Sequence, residues 1–590
     1  MYIYCKLGVW EKRMGHLIPY LKKYKLETVI APLFKMLESC FDLIVPIIVA
    51  SIIDIGIAQR DRRYIVIRFS ILIGMALLGL ACSFVAQYFA ARAATGTATG
   101  LRRELFEKIQ SFSFTELDKI GASTLITRMT SDINQVQNGI NMFLRLFLRS
   151  PFIVFGAMIM AFSINTQIAL VFLAVIVVLF VIVFGIMFLT APMYKKVQQN
   201  LDSVTGATRE SLSGVRVIRA FGREKVQDAQ FVETDDRLWQ SQIKVGKIAA
   251  LLNPLTYIII NAGIMLILWL GADKVNHGVL LSGNIIALIN YISQILVELV
   301  KLANLVVLLG KSISGMGRIG QILDTESRMK FDGTDEADKN LAGDAIRFDS
   351  VSLRYAEAGD ESLTDISFSA KQGKTIGIIG GTGSGKSSLV HLIPRFYDAT
   401  DGCVYIMGKP IKSLSREALL STVAIVDQKP RLFSGTIRSN MLWGNSNATD
   451  EEIWHALEVA QAAEFVRKKP NGLDEFVSQG GANLSGGQKQ RLTIARAILT
   501  GADILILDDS ASALDYATDA ALRRAIRELP SKMTVVIVSQ RTGSIMQADK
   551  ILVLDDGRLV GCGTHSELLD SCDIYKEIYD SQFGGEEVQE

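Results

Sequence analysis

Two stretches of this 590-residue chain carry residue types suited to holding and attacking a phosphate. The loop Gly380, Gly381, Thr382, Gly383, Ser384, Gly385, Lys386, Ser387 has the spacing G-x4-G-K-[ST], and Ser388 follows it. Glycines so placed let backbone N–H groups close around phosphate oxygens, and a helix beginning there adds partial positive charge. Lys386 is then the cation for the β- and γ-phosphates, and the Ser387 hydroxyl a ligand for Mg²⁺. An apolar run, Thr375 to Ile379, precedes the loop, and an amphipathic stretch, Ser388 to Phe396, follows it. The second stretch is Ile504-Leu505-Ile506-Leu507-Asp508-Asp509. A buried strand of this kind delivers Asp508 to the metal through water. It leaves Asp509 as the candidate general base for an attacking water. Together the two stretches imply Mg²⁺-nucleotide binding.

A third element lies between them. Asn483-Leu484 leads into Ser485, Gly486, Gly487 and Gln488, with a helical pattern behind. Small residues at a helix start make another phosphate site. One domain cannot wrap both this loop and its own P-loop around a single phosphate, whereas two domains facing head to tail can.

The rest of the chain must position this machinery. Hydrophobic residues make up 49% of the sequence and charged residues 21%, with mean hydropathy +0.30. The apolar excess lies before residue 310. A net charge of +2 gives no reason to expect nucleic acid as a partner. The six cysteines are scattered without a CxxC pair, so neither a disulfide framework nor a zinc site is expected. A bilayer-spanning helix needs about 20 mostly apolar residues. Six segments qualify, centred on 29–53, 66–90, 141–163, 167–191, 247–271 and 282–309.

The long polar stretches 91–140 and 192–246 are helix-compatible, so the spans should extend beyond the bilayer and turn back near Gly121-Ala122-Ser123 and Leu212-Ser213-Gly214. Lysines at 22, 23, 25, 195 and 196 fit the positive-inside rule for cytoplasmic excursions, while Arg60, Arg62 and Arg63 oppose it. No signal peptide is expected, and Met14 offers an alternative start. Residues 1–26 read as an amphipathic elbow, 27–323 as a transmembrane domain, 324–344 as a polar linker, 345–582 as an α/β nucleotide domain and 583–590 as a tail.

With these motifs in hand, nearly the whole chain resembles the ATP-binding cassette (ABC) transporters, specifically exporter-type half-transporters. The resemblance implies a fold of six long transmembrane helices with cytoplasmic extensions, followed by an α/β P-loop ABC ATPase domain. It implies ATP and Mg²⁺ as cofactors, a cell membrane location (bacterial inner or plasma membrane) and a cytoplasmic nucleotide domain. Membrane lipid and a small-molecule substrate are the other expected partners. By the same likeness Tyr355 stacks on adenine, and Gln428 senses Mg²⁺ and the attacking water. Ala513-Leu514-Asp515 communicates across a dimer. Short transverse helices near Glu116–Ala122 and Ser213–Ala220 couple the two domains.

Three positions depart from the family's pattern. Asp509 stands where a glutamate is usual, Gln540 in Val538-Ser539-Gln540-Arg541 where a histidine is usual, and Val477-Ser478-Gln479-Gly480-Gly481 lacks the usual acidic residue. Aspartate is one methylene shorter than glutamate, and a misplaced general base typically costs about 10²–10⁴-fold. Gln540 carries no positive charge. The catalytic group therefore comprises Asp509, Gln540 and Gln428, the metal group Ser387, Gln428 and Asp508. The expected protein is the degenerate-site half of a heterodimeric exporter whose intact Ser485–Gln488 loop serves the partner's ATP. Its cargo is expected to be a small amphiphilic, drug-like or lipid-like molecule. A homodimeric lipid flippase, a siderophore-type importer and an ATP-gated channel are the alternatives. Inside the spans, Lys35, Glu38, Asp42, Arg145, Arg149 and Glu298 either line a polar cavity or pair between helices.

Overall fold

A computed structural model of the chain describes residues 15–337, 343–355, 358–510, 512–529 and 533–583. The alternative start at Met14 lies outside the described residues. The chain forms two compact units. One comprises residues up to Gln110 together with Ala122–Thr325, the other Ser111–Gly121 together with Glu326 onward.

In the first unit, six helical segments among the described residues are long and apolar enough to cross a membrane: Lys25–Ile57, Arg62–Gln110, Ala122–Ile164, Thr166–Ser213, Glu224–Asn276 and Ser282–Leu323. At 1.5 Å rise per residue, a bilayer core takes about 20 residues. The second, fourth and fifth segments have 49, 48 and 53 residues, so more than half of each extends beyond it. Local chemistry sets the ends. Asn165 accepts hydrogen bonds from the N–H groups of Gln167 (3.1 Å) and Ile168 (3.2 Å) and caps the fourth helix. Asp54, in the π-helical turn that closes the first segment, accepts the N–H of Gly283 at 2.6 Å, at the start of the last segment.

The charges inside the spans pair with one another. Arg149 donates to Glu38 (3.1 Å) and Asp42 (3.0 Å) and lies 3.8 Å from Glu298. Lys35 donates to Glu38 at 2.6 Å, and Glu298 accepts from Ser150 (2.7 Å) and Lys301 (2.9 Å). The first, third and sixth segments are thus joined by one ionic network, the form in which buried charge is tolerated. Asp42, Arg149 and Glu298 also line a cleft of about 410 Å³ with Asn290, Ser293, Gln294 and Lys301, so pairing and cavity wall occur together.

The short elbow helix Ile18–Lys23 and the residue after it dock on the second segment through two rings. A Cβ on Gly96 would lie 2.2 Å from the Tyr24 ring, and one on Gly100 would lie 2.4 Å from Tyr20. Glycine is the residue that admits those rings so close to the helix backbone.

The second unit is built on a six-stranded sheet in the order Arg558–Gly563, Lys550–Asp555, Thr375–Gly380, Thr534–Val538, Ile504–Asp508 and Val423–Val426. All pairs are parallel except the first, and the central strands Ile504–Asp508 and Thr534–Val538 are buried at every residue. That burial explains their unbroken apolar runs. A second, four-stranded sheet carries Asp344–Leu353 at its centre, paired antiparallel with Leu363–Lys371 and Asp401–Ile406.

The membrane-side boundary differs from a single cut at residue 323. The short helix Phe114–Ile120 packs within the second unit. Phe114 stacks on Phe396 with centroids 4.3 Å apart, and Asp118 accepts the Tyr397 hydroxyl at 2.5 Å. Glu116, 5% exposed, caps its own helix through Ser113 and accepts the Arg328 N–H and Ser327 Oγ, both at 3.2 Å. Residues 327–335 therefore do not run as a free tether. Arg395 donates to the Lys330 carbonyl (3.1 Å) and packs on the Phe331 ring, and Asp335 exchanges backbone bonds with Ser413 and Ser415, both 3.0 Å.

Candidate nucleotide site

The strand Thr375–Gly380 delivers the P-loop, and the helix Lys386–Leu392 leaves it. Gly385 caps that helix with φ 92°, a left-handed conformation that favours glycine. The Lys386 ammonium folds back to donate to the carbonyls of Gly380 (2.9 Å) and Gly381 (2.5 Å) and to Ser384 Oγ (3.3 Å). Burial pushes its pKa down, against the pull of Asp509 and Asp508. A phosphate in the loop would offer this cation a stronger acceptor than neutral carbonyls.

Asp508, 3% exposed, ends the strand Ile504–Asp508, two strands away in the same sheet, and accepts from Ser387 Oγ at 3.2 Å. Burial pushes its pKa up, opposed by the Ser387 bond and by His391, whose Nε2 lies 3.9 Å away. A buried carboxylate with so little compensation, beside a hydroxyl, is a hard-oxygen donor set that fits Mg²⁺. Ser387, Asp508 and the Gln428 carbonyl are the groups available to hold the ion, which would neutralise charge on the phosphates. The sequence assigned these residues, but not His391.

Asp509 leaves the strand with φ 45° and donates its N–H to the Val538 carbonyl at 3.0 Å. Its carboxylate accepts the Gln428 side-chain N–H at 3.0 Å. The two candidate water-handling groups therefore hold each other. Thr382 to Ser388, Gln428, Asp508, Asp509, Ser539 and Gln540 line one cleft of about 570 Å³. Asp360, Glu361, Ser362, Asp556 and Gly557 line it as well. Sequence reasoning missed these five, because no motif marks loops brought there by two different sheets.

Tyr355 abuts this cleft, donating to Ser388 Oγ at 3.0 Å and meeting the Tyr397 ring edge-on at 5.0 Å. Ser485, Gly486, Gly487, Gln488 and Asp515 do not line the cleft. Ser485 and Gln488 form a reciprocal capping box on the helix Gly486–Ile498 (3.1 and 3.3 Å). Asp515 caps the helix Tyr516–Arg527 by accepting the Thr518 N–H at 2.9 Å, and these bonds from Thr518 hold its pKa below the usual carboxylate range. A Cβ on Gly487 would lie 3.1 Å from the Ala513 carbonyl, so the Gly487 and Asp515 loops are neighbours.

A membrane unit of six long helices joined to a P-loop unit with a second phosphate-type loop defines a transport ATPase. Residues 28–299 match the ABC transporter transmembrane region, and residues 363–512 match the ABC transporter ATPase family. The chain is 38% identical over 573 residues to the uncharacterized ABC transporter ATP-binding protein YfiB of Bacillus subtilis (strain 168), covering 97% of this chain and 99% of that one. It is 33% identical over 566 residues to the uncharacterized ABC transporter ATP-binding protein Rv1273c of Mycobacterium tuberculosis (strain ATCC 25618 / H37Rv), covering 95% and 97%. It is 31% identical over 509 residues to the ATP-dependent lipid A-core flippase of Hahella chejuensis (strain KCTC 2396), covering 86% of each chain. The chain belongs to the ABC transporters, with an exporter-type half-transporter layout. It is a multi-pass membrane protein with a cytoplasmic nucleotide-binding domain, an ATPase coupled to transport.

Proposed function

We propose that this chain is the weakly hydrolytic half of an asymmetric exporter. The observation that carries the reading is the pair Asp509 and Gln540, both lining the cleft. Asp509 is short and bound to Gln428 at 3.0 Å, and Gln540 is uncharged. The cleft then binds Mg²⁺-ATP through Lys386, Ser387 and Asp508 but aligns and deprotonates water poorly. The loop Ser485–Gln488 lies off this cleft, which supports its use on the ATP of a second half-transporter carrying a glutamate at the base position. ATP drawn between two such domains closes them. The six-helix unit then opens outward, and hydrolysis at the partner's site resets the cycle.

For cargo, the cleft lined by Asp42, Arg149 and Glu298 together with Asn290, Ser293 and Gln294 combines paired charge with amide groups inside an apolar bundle. That mixture suits a small amphiphile, drug-like or lipid-like. The flippase relative favours a second reading, a homodimer moving lipid.

Replacing Asp509→Glu together with Gln540→His should raise the ATPase rate of the purified transporter at least about 10-fold at this site. The wild-type chain purified without any other subunit should show little turnover. Hydrolysis at full exporter rate by the chain alone would overturn the asymmetric reading in favour of the homodimer.

A further inference from the structure

The segment after the strand Thr534–Val538 carries Gln540 into the nucleotide cleft, and its backbone is held by a side chain 40 residues further on. Gln582, in the last described helix Asp573–Phe583, accepts the N–H of Thr542 at 2.9 Å and its hydroxyl at 2.7 Å. Its amide N–H donates to the carbonyl of Gln540 at 2.8 Å. One amide thus brackets Arg541 from both sides, satisfying an acceptor before it and two donors after it. An amide offers donor and acceptor from one planar group, and glutamine has the reach from the end of this helix.

The helix that presents Gln582 is fixed. Tyr575 is fully buried and its hydroxyl pairs with His565 Nδ1 at 2.7 Å, while the Tyr579 ring meets the His565 ring with centroids 5.3 Å apart. Thr542 is fully buried, so its hydroxyl and N–H depend on this partner. The following residues are pinned independently. Arg523 donates to the carbonyls of Gly543 (3.0 Å) and Ser544 (3.2 Å), and Ser544 Oγ donates to Asp519 at 3.0 Å. Gln582 therefore governs the stretch Gln540–Thr542 and not the whole turn.

We propose that Gln582 is a positioning residue for ATP hydrolysis, setting through the Gln540 carbonyl and Thr542 where the Gln540 side chain stands in the cleft. The last helix is then an input to the phosphate end of the site, acting without contact with nucleotide. This holds whether or not the second subunit differs from this chain.

The test uses the full-length transporter purified from membranes with whatever subunit accompanies it, both as wild type and with Asp509→Glu plus Gln540→His. Gln582→Met removes donor and acceptor at similar volume, and Gln582→Glu keeps the acceptor for Thr542 but loses the donor. In the Asp509→Glu plus Gln540→His background, misplacing the side chain at position 540 by a fraction of an ångström should reduce the gained ATPase about 10-fold in Gln582→Met, with KM for Mg²⁺-ATP changed less than about 2-fold. Gln582→Glu should fall between. Hydrogen exchange of the peptide covering 538–546 should accelerate in Gln582→Met, with the remaining peptides unchanged.

Unchanged ATPase in the Asp509→Glu plus Gln540→His background, or unchanged exchange at 538–546 in either background, would overturn the proposal. So would faster exchange across the whole nucleotide unit, which marks a structural role, or a raised KM at constant kcat. Failure of the asymmetric reading shows separately, as no gain in ATPase from the double change at Asp509 and Gln540 while the exchange response at 538–546 persists.

Discussion

Removing the Glu116 carboxylate tests how the short helix Phe114–Ile120 is held in the nucleotide unit. That carboxylate is 5% exposed and accepts the N–H of Ser113 (3.1 Å), the Ser113 hydroxyl, the N–H of Arg328 (3.2 Å) and Ser327 Oγ (3.2 Å). The two hydroxyls can turn to other acceptors, but the backbone groups cannot. Losing the capping-box bond from the Ser113 N–H costs about 1 kcal/mol, and depriving the Arg328 N–H of a charged acceptor costs about 1 kcal/mol more. Glu116→Ala should therefore lose about 2 kcal/mol, and in a unit of this size about 2 °C per kcal/mol gives a melting shift of about 4 °C.

The pH dependence follows from the carboxyl's pKa. Burial alone would raise it, but the hydrogen bonds from Ser113, Arg328 and Ser327 outweigh burial and hold it below the usual glutamate range. A depressed folded pKa means that the stabilisation is fully present above the unfolded value of about 4.3 and is lost as pH falls through the lower folded value. Thermal melting of wild type, Glu116→Ala and Glu116→Gln in detergent across pH should show the gap at neutral pH and its closure in acid. A neutral-pH shift below about 1 °C, or a gap unchanged below the folded pKa, would refute the reasoning.

Lys386→Ala removes the cation of the P-loop, and photolabelling of this chain by an azido-ATP should fall by about 10-fold or more while the chain still assembles in the membrane. Gly96→Val places a side chain where Tyr24 sits, with the Cβ 2.2 Å from the ring. The elbow should undock at a cost of about 1–3 kcal/mol, read as faster tryptic cleavage at Lys22 and Lys23. Arg149→Ala leaves Glu38, Asp42 and Glu298 without their shared cation and should cost about 3–5 kcal/mol, seen as a lower folded yield on size exclusion.

The P-loop and the acidic strand were legible in the sequence because each is local. A loop, a strand or a helix cap needs only neighbours within a dozen residues. The six spans were legible because a bilayer imposes length and polarity on each helix by itself. The helix Phe114–Ile120 was expected near the nucleotide unit only through the family resemblance, and the residues that hold it there, Phe396, Tyr397 and Arg328, lie more than 200 residues away. The pairing of Arg149 needed the first and sixth spans to meet it. Residues 327–335 are polar enough to read as a linker, yet Arg395 and Ser413 give them partners. Gln582 carried no signal at all, because its partners are backbone groups that every residue has. The loop Ser485–Gln488 was visible as a small-residue helix start, and the reasoning that one domain cannot wrap both it and its own P-loop around a single phosphate already set it apart from this chain's own cleft.

Asp509 follows the strand Ile504–Asp508 in a left-handed backbone conformation, φ 45°. Aspartate and asparagine tolerate that region better than longer side chains, because a short polar group bonds back to nearby backbone. Restoring glutamate there would lengthen the reach of the carboxylate and at the same time ask a less accommodating residue to hold a strained turn. On the proposed asymmetric reading, the departure that would weaken water activation also relaxes the junction where the strand Ile504–Asp508 meets the loop of Ser512. A chain that shares its site with a catalytically able partner is free to accept this exchange. In such a pair, stability and turnover would be divided between two polypeptides, the left-handed position of Asp509 being one place where the two demands meet.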